Sequence, residues 1–224
     1  MNYSMLKPLI QKDWYLQRFV VFGYLLAGVV ALVLANLQNQ TLINIGNLLL
    51  ISVLIASGFH LAVSNIFTER NQHTLPFVMS LPVSVREYTL GKILATTLIY
   101  LVPWTILGMA GLAIILTRDT IPDGLIPFIM LILVQILVNY CFALAVALIT
   151  ESLYWIIGAV LIGNVSLQSL MGFMMSSPNI KINMTGSSIV WDSTTLLILV
   201  AQFSAIALLF GITFLVQSKK TDFI

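Results

Sequence analysis

The run LIPFIMLILVQILVNYCFALAVALI, residues 125–149, contains no charged side chain. A helix needs about 20 apolar residues to cross roughly 30 Å of hydrocarbon at ~1.5 Å per residue, and this run is long enough. The strict alternation of apolar and polar residues that is typical of a transmembrane strand is absent. The run therefore predicts a membrane-spanning helix, in which the backbone polar groups are paired within the helix.

Apolar runs of similar length recur along the chain. The 224 residues are 59% hydrophobic and only 8% charged, whereas soluble globular domains are about one quarter charged. The mean hydropathy of +1.03 agrees with this. The single Cys141 excludes an intramolecular disulfide. We therefore predict an all-α membrane protein in which residues 1–224 form one transmembrane domain with six spans, at 19–37, 43–67, 93–117, 125–149, 154–170 and 194–216.

The distribution of lysine and arginine predicts which side of the membrane each segment faces. These residues accumulate on the cytoplasmic side of membrane proteins. If the N-terminus is inside, two of them, Arg118 and Lys181, lie outside and the other eight lie inside. We therefore predict a multi-pass protein of the cell membrane, a bacterial inner membrane or a plasma membrane, with both termini in the cytoplasm. The inside set is Lys7, Lys12, Arg18, Arg70, Arg86, Lys92, Lys219 and Lys220.

The largest internal loop lies between spans two and three and reads FTERNQHTLPFVMSLPVSVREYTLGK, residues 67–92. Pro76 and Pro82 allow only a short helix or turn between them. Ser84 and Glu87 have the spacing of a capping box, so the third helix is expected to begin in the cytoplasm, about two turns before its apolar run. Apolar residues between charged flanks indicate a docking site for a cytoplasmic protein. A helix that lies against the lipid headgroups is the alternative.

This loop resembles the coupling region of ABC-2 type transporter permeases. In that family an acidic residue after the second span, a T-L pair, an S-L-P-V-S turn and a G-K pair recur, and here they are Glu69, TL at 74–75, SLPVS at 80–84 and GK at 91–92. The six-span pattern extends the resemblance over nearly the whole chain. The resemblance implies a dimer of permease chains, a homodimer in the simplest case, with each chain docked to a cytoplasmic ATPase subunit that drives export. It places the following residues at the ATPase contact or its support: Glu69, Arg70, Thr74, Leu75, Phe77, Leu81, Pro82, Arg86 and, in a second, smaller contact, Glu151.

The chain lacks the G-x-x-x-x-G-K-[ST] loop that cradles nucleotide phosphates. ATP and Mg²⁺ are therefore expected on the partner subunit, and we predict no cofactor, metal site or enzymatic activity for this chain. An intramembrane enzyme would need a nucleophile with a base, or metal ligands, at helical spacing. His60 is the only histidine in a span, and no H-E-x-x-H motif occurs. No basic face with interleaved aromatic residues indicates nucleic-acid binding.

Residues 1–18 mix apolar and charged side chains at roughly helical spacing. They predict an interfacial helix at headgroup depth. In ABC-2 permeases the corresponding segment is a connecting helix that also touches the ATPase, and simple membrane anchoring is the alternative. In the first span Gly23, Ala27, Ala31 and Ala35 recur every four residues, a pattern that lets helices approach closely.

Polar residues inside the spans are the candidates for a translocation path, because such residues usually face protein or water. Gln135 and Asn139 in span four are four residues apart. Hydrogen bonding between helices is the alternative role for all of these residues. The resemblance places the path at spans two and five, and its candidates there are Asn47, Ser57, His60, Asn164 and Gln168.

The segment 164–192 is rich in Ser, Asn and Gly but retains several methionines. It is similar to the short re-entrant helices that form an outer lid between spans five and six of ABC-2 permeases. Met171, Phe173 and Met174 are the predicted lid residues, since flexible methionines suit a surface that repacks around apolar cargo. A plain surface loop is the alternative.

These features favour the permease subunit of an ABC exporter that carries a hydrophobic or amphipathic substrate, such as a lipid, a drug-like molecule or a peptide. A secondary transporter or channel that works without an ATPase is the alternative. Such proteins usually place ionisable residues or broken helices at mid-membrane, often in two related halves, and here only His60 is of that kind. The substrate, and the choice between a homodimer and a heterodimer of permeases, stay open at this point.

Overall fold

The computed structural model describes residues 6–37, 39–68, 85–118 and 121–219. Within these ranges every regular element is a helix, and no strand occurs. A π-helical segment, Val63–Thr68, continues α2. The α-helices are α1 (Leu6–Ala35), α2 (Gln40–Ala62), α3 (Val85–Thr117), α4 (Leu125–Thr150), α5 (Leu153–Ser176), α6 (Pro178–Met184) and α7 (Ser193–Ser218).

Six of the described helices are long and apolar enough to cross a membrane. They are α1, α2 with its π-helical continuation, α3, α4, α5 and α7. Many of their large apolar side chains are exposed on the surface of the single chain, as expected where lipid rather than water is the solvent. The prediction of an all-helical membrane protein with six spans is confirmed.

Two predicted boundaries differ from the structure. Residues 6–18 do not form a separate interfacial helix, because α1 runs unbroken from Leu6 to Ala35. Span five does not end at Leu170 but continues as α5 to Ser176. There the hydroxyl of Ser169 donates to the carbonyl of Val165, so a polar residue is satisfied within the helix. The helix stops at Ser177, since the following Pro178 disfavours helical backbone in the residue before it.

The predicted outer segment therefore has a different form. The lid candidates Met171, Phe173 and Met174 lie in the last turns of α5. One short helix, α6, follows them among the described residues, and its Ile180 is buried in the same core cluster as Met174. A set of several re-entrant helices is not confirmed.

Neighbouring spans run in opposite directions, so the bundle has two ends. We call one the Asp13 end, where α1, α3 and α5 begin and where α4 and α7 finish. At this end Lys92 of α3 contacts Asp13 of α1. The other is the Arg118 end, where the Arg118 side chain bonds the backbone of Asn36 just after α1. The two ends correspond to the two faces of a membrane.

Helix α4 forms the centre of the bundle. It packs against α5 and α7 on one side and against α2 and α3 on the other, while α1 packs against α2 and α3. Over half of its apolar span is buried (56%), compared with 11% for α7. The rings of Tyr100 in α3 and Tyr140 in α4 stack with centroids 3.9 Å apart. A buried aromatic stack of this kind adds to the free energy gained from burial alone.

The backbones of α1 and α2 lie close together where Gly46 faces Ala31 and Ala35. A Cβ atom added to Gly46 would collide with the backbone N of Ala35 and lie 2.7 Å from the carbonyl oxygen of Ala31. Both alanines belong to the small-residue pattern of the first span. Gly23, by contrast, faces open space. The half of the pattern nearer the Arg118 end therefore packs against α2.

The predicted orientation has a direct test. Single cysteines at Asp123 and Lys181 should react with an impermeant thiol reagent in intact cells, whereas cysteines at Glu151 and Lys220 should react only after permeabilisation, because the charge distribution places the Asp13 end inside. The background is Cys141→Ala, which removes the buried native thiol. Labelling of a cysteine at position 151 from outside would show that the predicted orientation is wrong.

Candidate functional site

A small cavity lies between α2, α3, α4 and α5, near the middle of the bundle. Its volume is about 20 Å³, which is enough for a water molecule. The side chains of two lining residues, Asn139 and Asn164, end in carboxamide groups, and the other lining residues are mainly apolar. The described residues that line it are Leu54, Ile55, Phe59, Tyr100, Ile136, Asn139, Tyr140, Ala143, Val160 and Asn164.

The tyrosine stack closes one side of this cavity because α2 has a glycine opposite it. A Cβ on Gly58 would lie 3.0 Å from Cδ2 of Tyr140 and 3.2 Å from Cε2 of Tyr100, so any larger residue would push the rings away. The Tyr100 hydroxyl donates to the carbonyl oxygen of Leu54 at 3.3 Å. The ring edges are thereby held against α2.

A network of carboxamide and hydroxyl groups fixes Asn139. Its Nδ2 donates to the carbonyl oxygen of Gly163 at 2.8 Å, and its Oδ1 accepts from Gln135 at 3.1 Å and from Ser166 at 3.2 Å. Nε2 of Gln202 in α7 donates to Oε1 of Gln135 at 3.0 Å. Buried hydrogen bonds between helices rigidify a core. This network joins α4, α5 and α7, although Oε1 of Gln202 is buried without a hydrogen-bond partner among the described residues.

Asn164 has a different environment from Asn139. Its Nδ2 donates to the carbonyl oxygen of Val160 in its own helix at 3.1 Å. Since a carboxamide oxygen has two lone pairs, Oδ1 of this half-buried residue can accept from a molecule in the cavity. Asn164 is the predicted path residue that lines the cavity.

The other predicted path residues do not meet in one site within the chain. Ser57 is buried, and its hydroxyl donates to the carbonyl oxygen of Leu54 in the same helix. Asn47, His60 and Gln168 are exposed on α2 and α5. Nδ1 of His60 lies 3.4 Å from the hydroxyl of Tyr24. Sequence reasoning also missed Gln202 and Ser166, although a glutamine inside an apolar span was a signal for the former.

A second polar site lies at the Asp13 end and was not predicted. Oδ2 of Asp13 is 3.0 Å from Nζ of Lys92, and both residues are only 3% exposed. One turn further along α1, Nε2 of Gln17 donates to Oγ of Ser64 at 2.7 Å and to Oδ1 of Asn65 at 2.9 Å. We call these five residues the Asp13 cluster. It ties α1 to the π-helical segment and to the start of α3, the two elements that flank residues 69–84.

The predicted ATPase-contact residues fall mostly on parts of the chain outside the described ranges. The exceptions are Arg86, which lies in the first turns of α3, and Glu151, which follows α4 with a left-handed backbone (φ 57°) and is half-buried. Outside the described residues lie Glu69, Arg70, Thr74, Leu75, Phe77, Leu81 and Pro82.

No group of three or more His, Cys, Asp or Glu residues that could hold a metal ion occurs in the described part of the chain. Neither the models of known protein families nor the curated protein sequences match this chain.

Proposed function

We propose that this chain is the transmembrane permease subunit of an ABC exporter and that a separate cytoplasmic ATPase subunit powers transport. The observation that carries the proposal is the exposure of Asn47, His60 and Gln168 on the apolar spans α2 and α5 of the single chain. Polar side chains inside a membrane span usually face protein or water and mark the pathways of transported molecules. A path that combines apolar helix surface with a few polar groups suits a hydrophobic or amphipathic substrate, such as a lipid, a drug-like molecule or a peptide.

The polar surface of α2 and α5 supports a dimer of permeases. Asn47, His60 and Gln168 are exposed on the single chain, yet a polar side chain that faces lipid is costly and usually faces protein or water instead. If two copies face each other through α2 and α5, these side chains line a wet path between them. The cavity at Asn164, which has room for a water molecule, then lies beside that path.

The arrangement at the Asp13 end supports docking of the ATPase there. Helix α3 has 33 residues, about 50 Å at ~1.5 Å per residue, which exceeds the roughly 30 Å of hydrocarbon. Its first turns, with Arg86, therefore extend beyond the hydrocarbon. The Asp13 cluster holds the base of this extension. Residues 69–84 between the two helices carry the apolar docking element, and Glu151 lies at the same end.

Removing apolar anchors from this element should release the ATPase. Phe77→Ala and Leu81→Ala are each expected to weaken the permease–ATPase complex by about 1 to 4 kcal/mol, the usual range for an anchor at an interface centre. Arg86→Gln should cost only about 0 to 1 kcal/mol, since a solvated rim charge contributes little. The measurement is co-purification of a co-expressed candidate ABC ATPase subunit with membrane-inserted permease variants, together with its substrate-stimulated ATP turnover.

Phe173→Ala is the matched control, because it truncates an exposed phenylalanine at the Arg118 end. It should leave the complex intact. The docking proposal would be contradicted if the Phe77→Ala/Leu81→Ala double variant retained both the ATPase and substrate-coupled ATP hydrolysis. Transport that continues without any ATPase would instead favour a secondary transporter or channel.

A further inference from the structure

A second and larger cavity opens at the Arg118 end, away from the candidate path. Its volume is about 490 Å³, within the range of small-molecule sites, which is about 300 to 1,000 Å³. Three segments form it: the end of α3, the turn before α4 and the loop after α6. Its lining includes Leu116, Arg118, Asp123, Thr185 and Ser187.

The two loops of this cavity are held in contact by their backbones. The N–H of Gly124 donates to the carbonyl oxygen of Gly186 at 3.0 Å. A Cβ on Gly124 would collide with the carbonyl oxygen of Asn183, so the approach requires glycine. The N–H of Gly186 donates in turn to the same Asn183 oxygen at 3.1 Å. The cavity walls are therefore connected parts of the fold.

Among the described residues that line the cavity, Arg118 and Asp123 carry opposite charges and do not pair with each other. One Nη of Arg118 donates to the carbonyl oxygen of Asn36 at 2.6 Å, which orients the guanidinium and leaves most of its five N–H groups for another acceptor. Asp123 lies two residues before the first residue of α4. The N-cap residue of that helix is Gly124, and no side chain at this position caps the helix. Neither Arg118 nor Asp123 forms an ion pair with another described side chain. Arg118 and Asp123 thus offer a cationic and an anionic site in one cavity.

The position of the cavity indicates where a ligand would come from. Helix α3 ends at Thr117, so Arg118 follows the last residue of a membrane span and lies at the depth of the headgroups. Leu116, about half a helical turn before Arg118, is exposed on the surface of the chain. A lipid in the adjacent leaflet can place its headgroup in the cavity while its acyl chains stay beside α3.

We infer that this cavity binds a zwitterionic phosphoamine headgroup. Arg118 donates charge-assisted hydrogen bonds to the phosphate, and Asp123 accepts from the ammonium. The presence of both charges distinguishes this ligand from an anionic lipid, whose headgroup would gain from Arg118 and be repelled by Asp123. The inference does not depend on the ATPase or on the path between α2 and α5.

Lipid retention by the purified full-length chain tests the inference. Protein from vesicles with equal phosphatidylethanolamine and phosphatidylglycerol should retain the ethanolamine lipid preferentially when analysed by native mass spectrometry. Arg118→Gln should lower retention of both lipids by about tenfold, since a charge-assisted hydrogen bond is lost. Asp123→Asn should remove the preference by lowering the ethanolamine lipid and raising the glycerol lipid.

Lys181→Gln is the control, because it removes an exposed cation at the same end that does not line the cavity. If Arg118→Gln fails to fold without its bond to Asn36, Arg118→Lys keeps a cation and should retain part of the phosphate binding. Displacement of the lipid by soluble phosphoethanolamine at similar affinity would assign the site to a soluble phosphoamine. The inference is overturned if both lipids are retained equally and neither Arg118→Gln nor Asp123→Asn changes their retention. Arg118 and Asp123 would then be two solvated charges at the membrane surface.

Discussion

Gly46→Ala is expected to prevent stable packing of the first two spans. The added Cβ would meet backbone atoms of Ala31 and Ala35, and backbone atoms cannot move aside by changing rotamer. Overpacking usually costs about 1 to 3 kcal/mol and sometimes more, and a clash with helix backbone belongs at the upper end. Thermal unfolding of the detergent-purified protein should therefore show a loss of more than about 3 kcal/mol of stability, with poor recovery of folded protein.

Gly23→Ala and Gly158→Ala are matched controls, since nothing lies within 4 Å of a Cβ at either position. Alanine is favoured over glycine inside a helix by roughly 0.5 to 1 kcal/mol, so these variants should be as stable as the parent or slightly more stable. A Gly46→Ala protein that behaves like Gly23→Ala would contradict the close approach of α1 and α2.

The spans themselves were readable from the sequence because the thickness of the bilayer imposes a minimum length on each apolar run. Their ends were less readable. Span five was predicted to stop at Leu170 because the segment 164–192 is rich in Ser, Asn and Gly. In the structure, Asn164 and Ser169 each bond a carbonyl of their own helix, so these residues do not break α5. The amino-acid composition alone does not show that these polar side chains bond within their own helix.

The same limit applies to helix contacts. The spacing of small residues predicted that one face of α1 packs closely, and Ala31 and Ala35 do so. The sequence did not identify Gly46 as the partner, because which helix fills a small-residue groove depends on tertiary structure. The cavity has the same origin: Phe59, Tyr100 and Asn139 come from three helices, and the sequence pattern singled out Asn139 and Asn164 among its lining residues.

Charges were the least readable feature. Lys92 was interpreted as a residue of a cytoplasmic loop, and Asp13 as part of the polar face of an interfacial helix. In the structure they form a buried ion pair. Asp13 and Gln17 are four residues apart, so they share a face of α1, and this spacing was the available signal that the face is buried against polar partners.

Asp13→Asn should destabilise the protein strongly, because it removes the negative charge of a buried carboxylate that lies 3.0 Å from the ammonium of Lys92. Breaking a buried ion pair from one side typically costs about 3 to 5 kcal/mol. Thermal unfolding in detergent measures this loss. Lys12→Met is the matched control: Lys12 lies 3.4 Å from the same carboxylate, but its side chain is 39% exposed, so its removal should cost no more than about 1 kcal/mol.

The double variant Asp13→Leu/Lys92→Met separates an energetic role from a positioning role. Replacing both charges by apolar side chains of similar size is often neutral for stability, so the double variant should regain most of what Asp13→Asn loses. If the Asp13 cluster also positions residues 69–84 for the ATPase, the stable double variant should still bind the ATPase more weakly than the parent, because the salt bridge that orients the start of α3 is gone. Parental stability together with parental ATPase affinity would show that the ion pair does not position the docking element. Failure of the double variant to recover stability would instead mean that the apolar pair does not fit between α1 and α3.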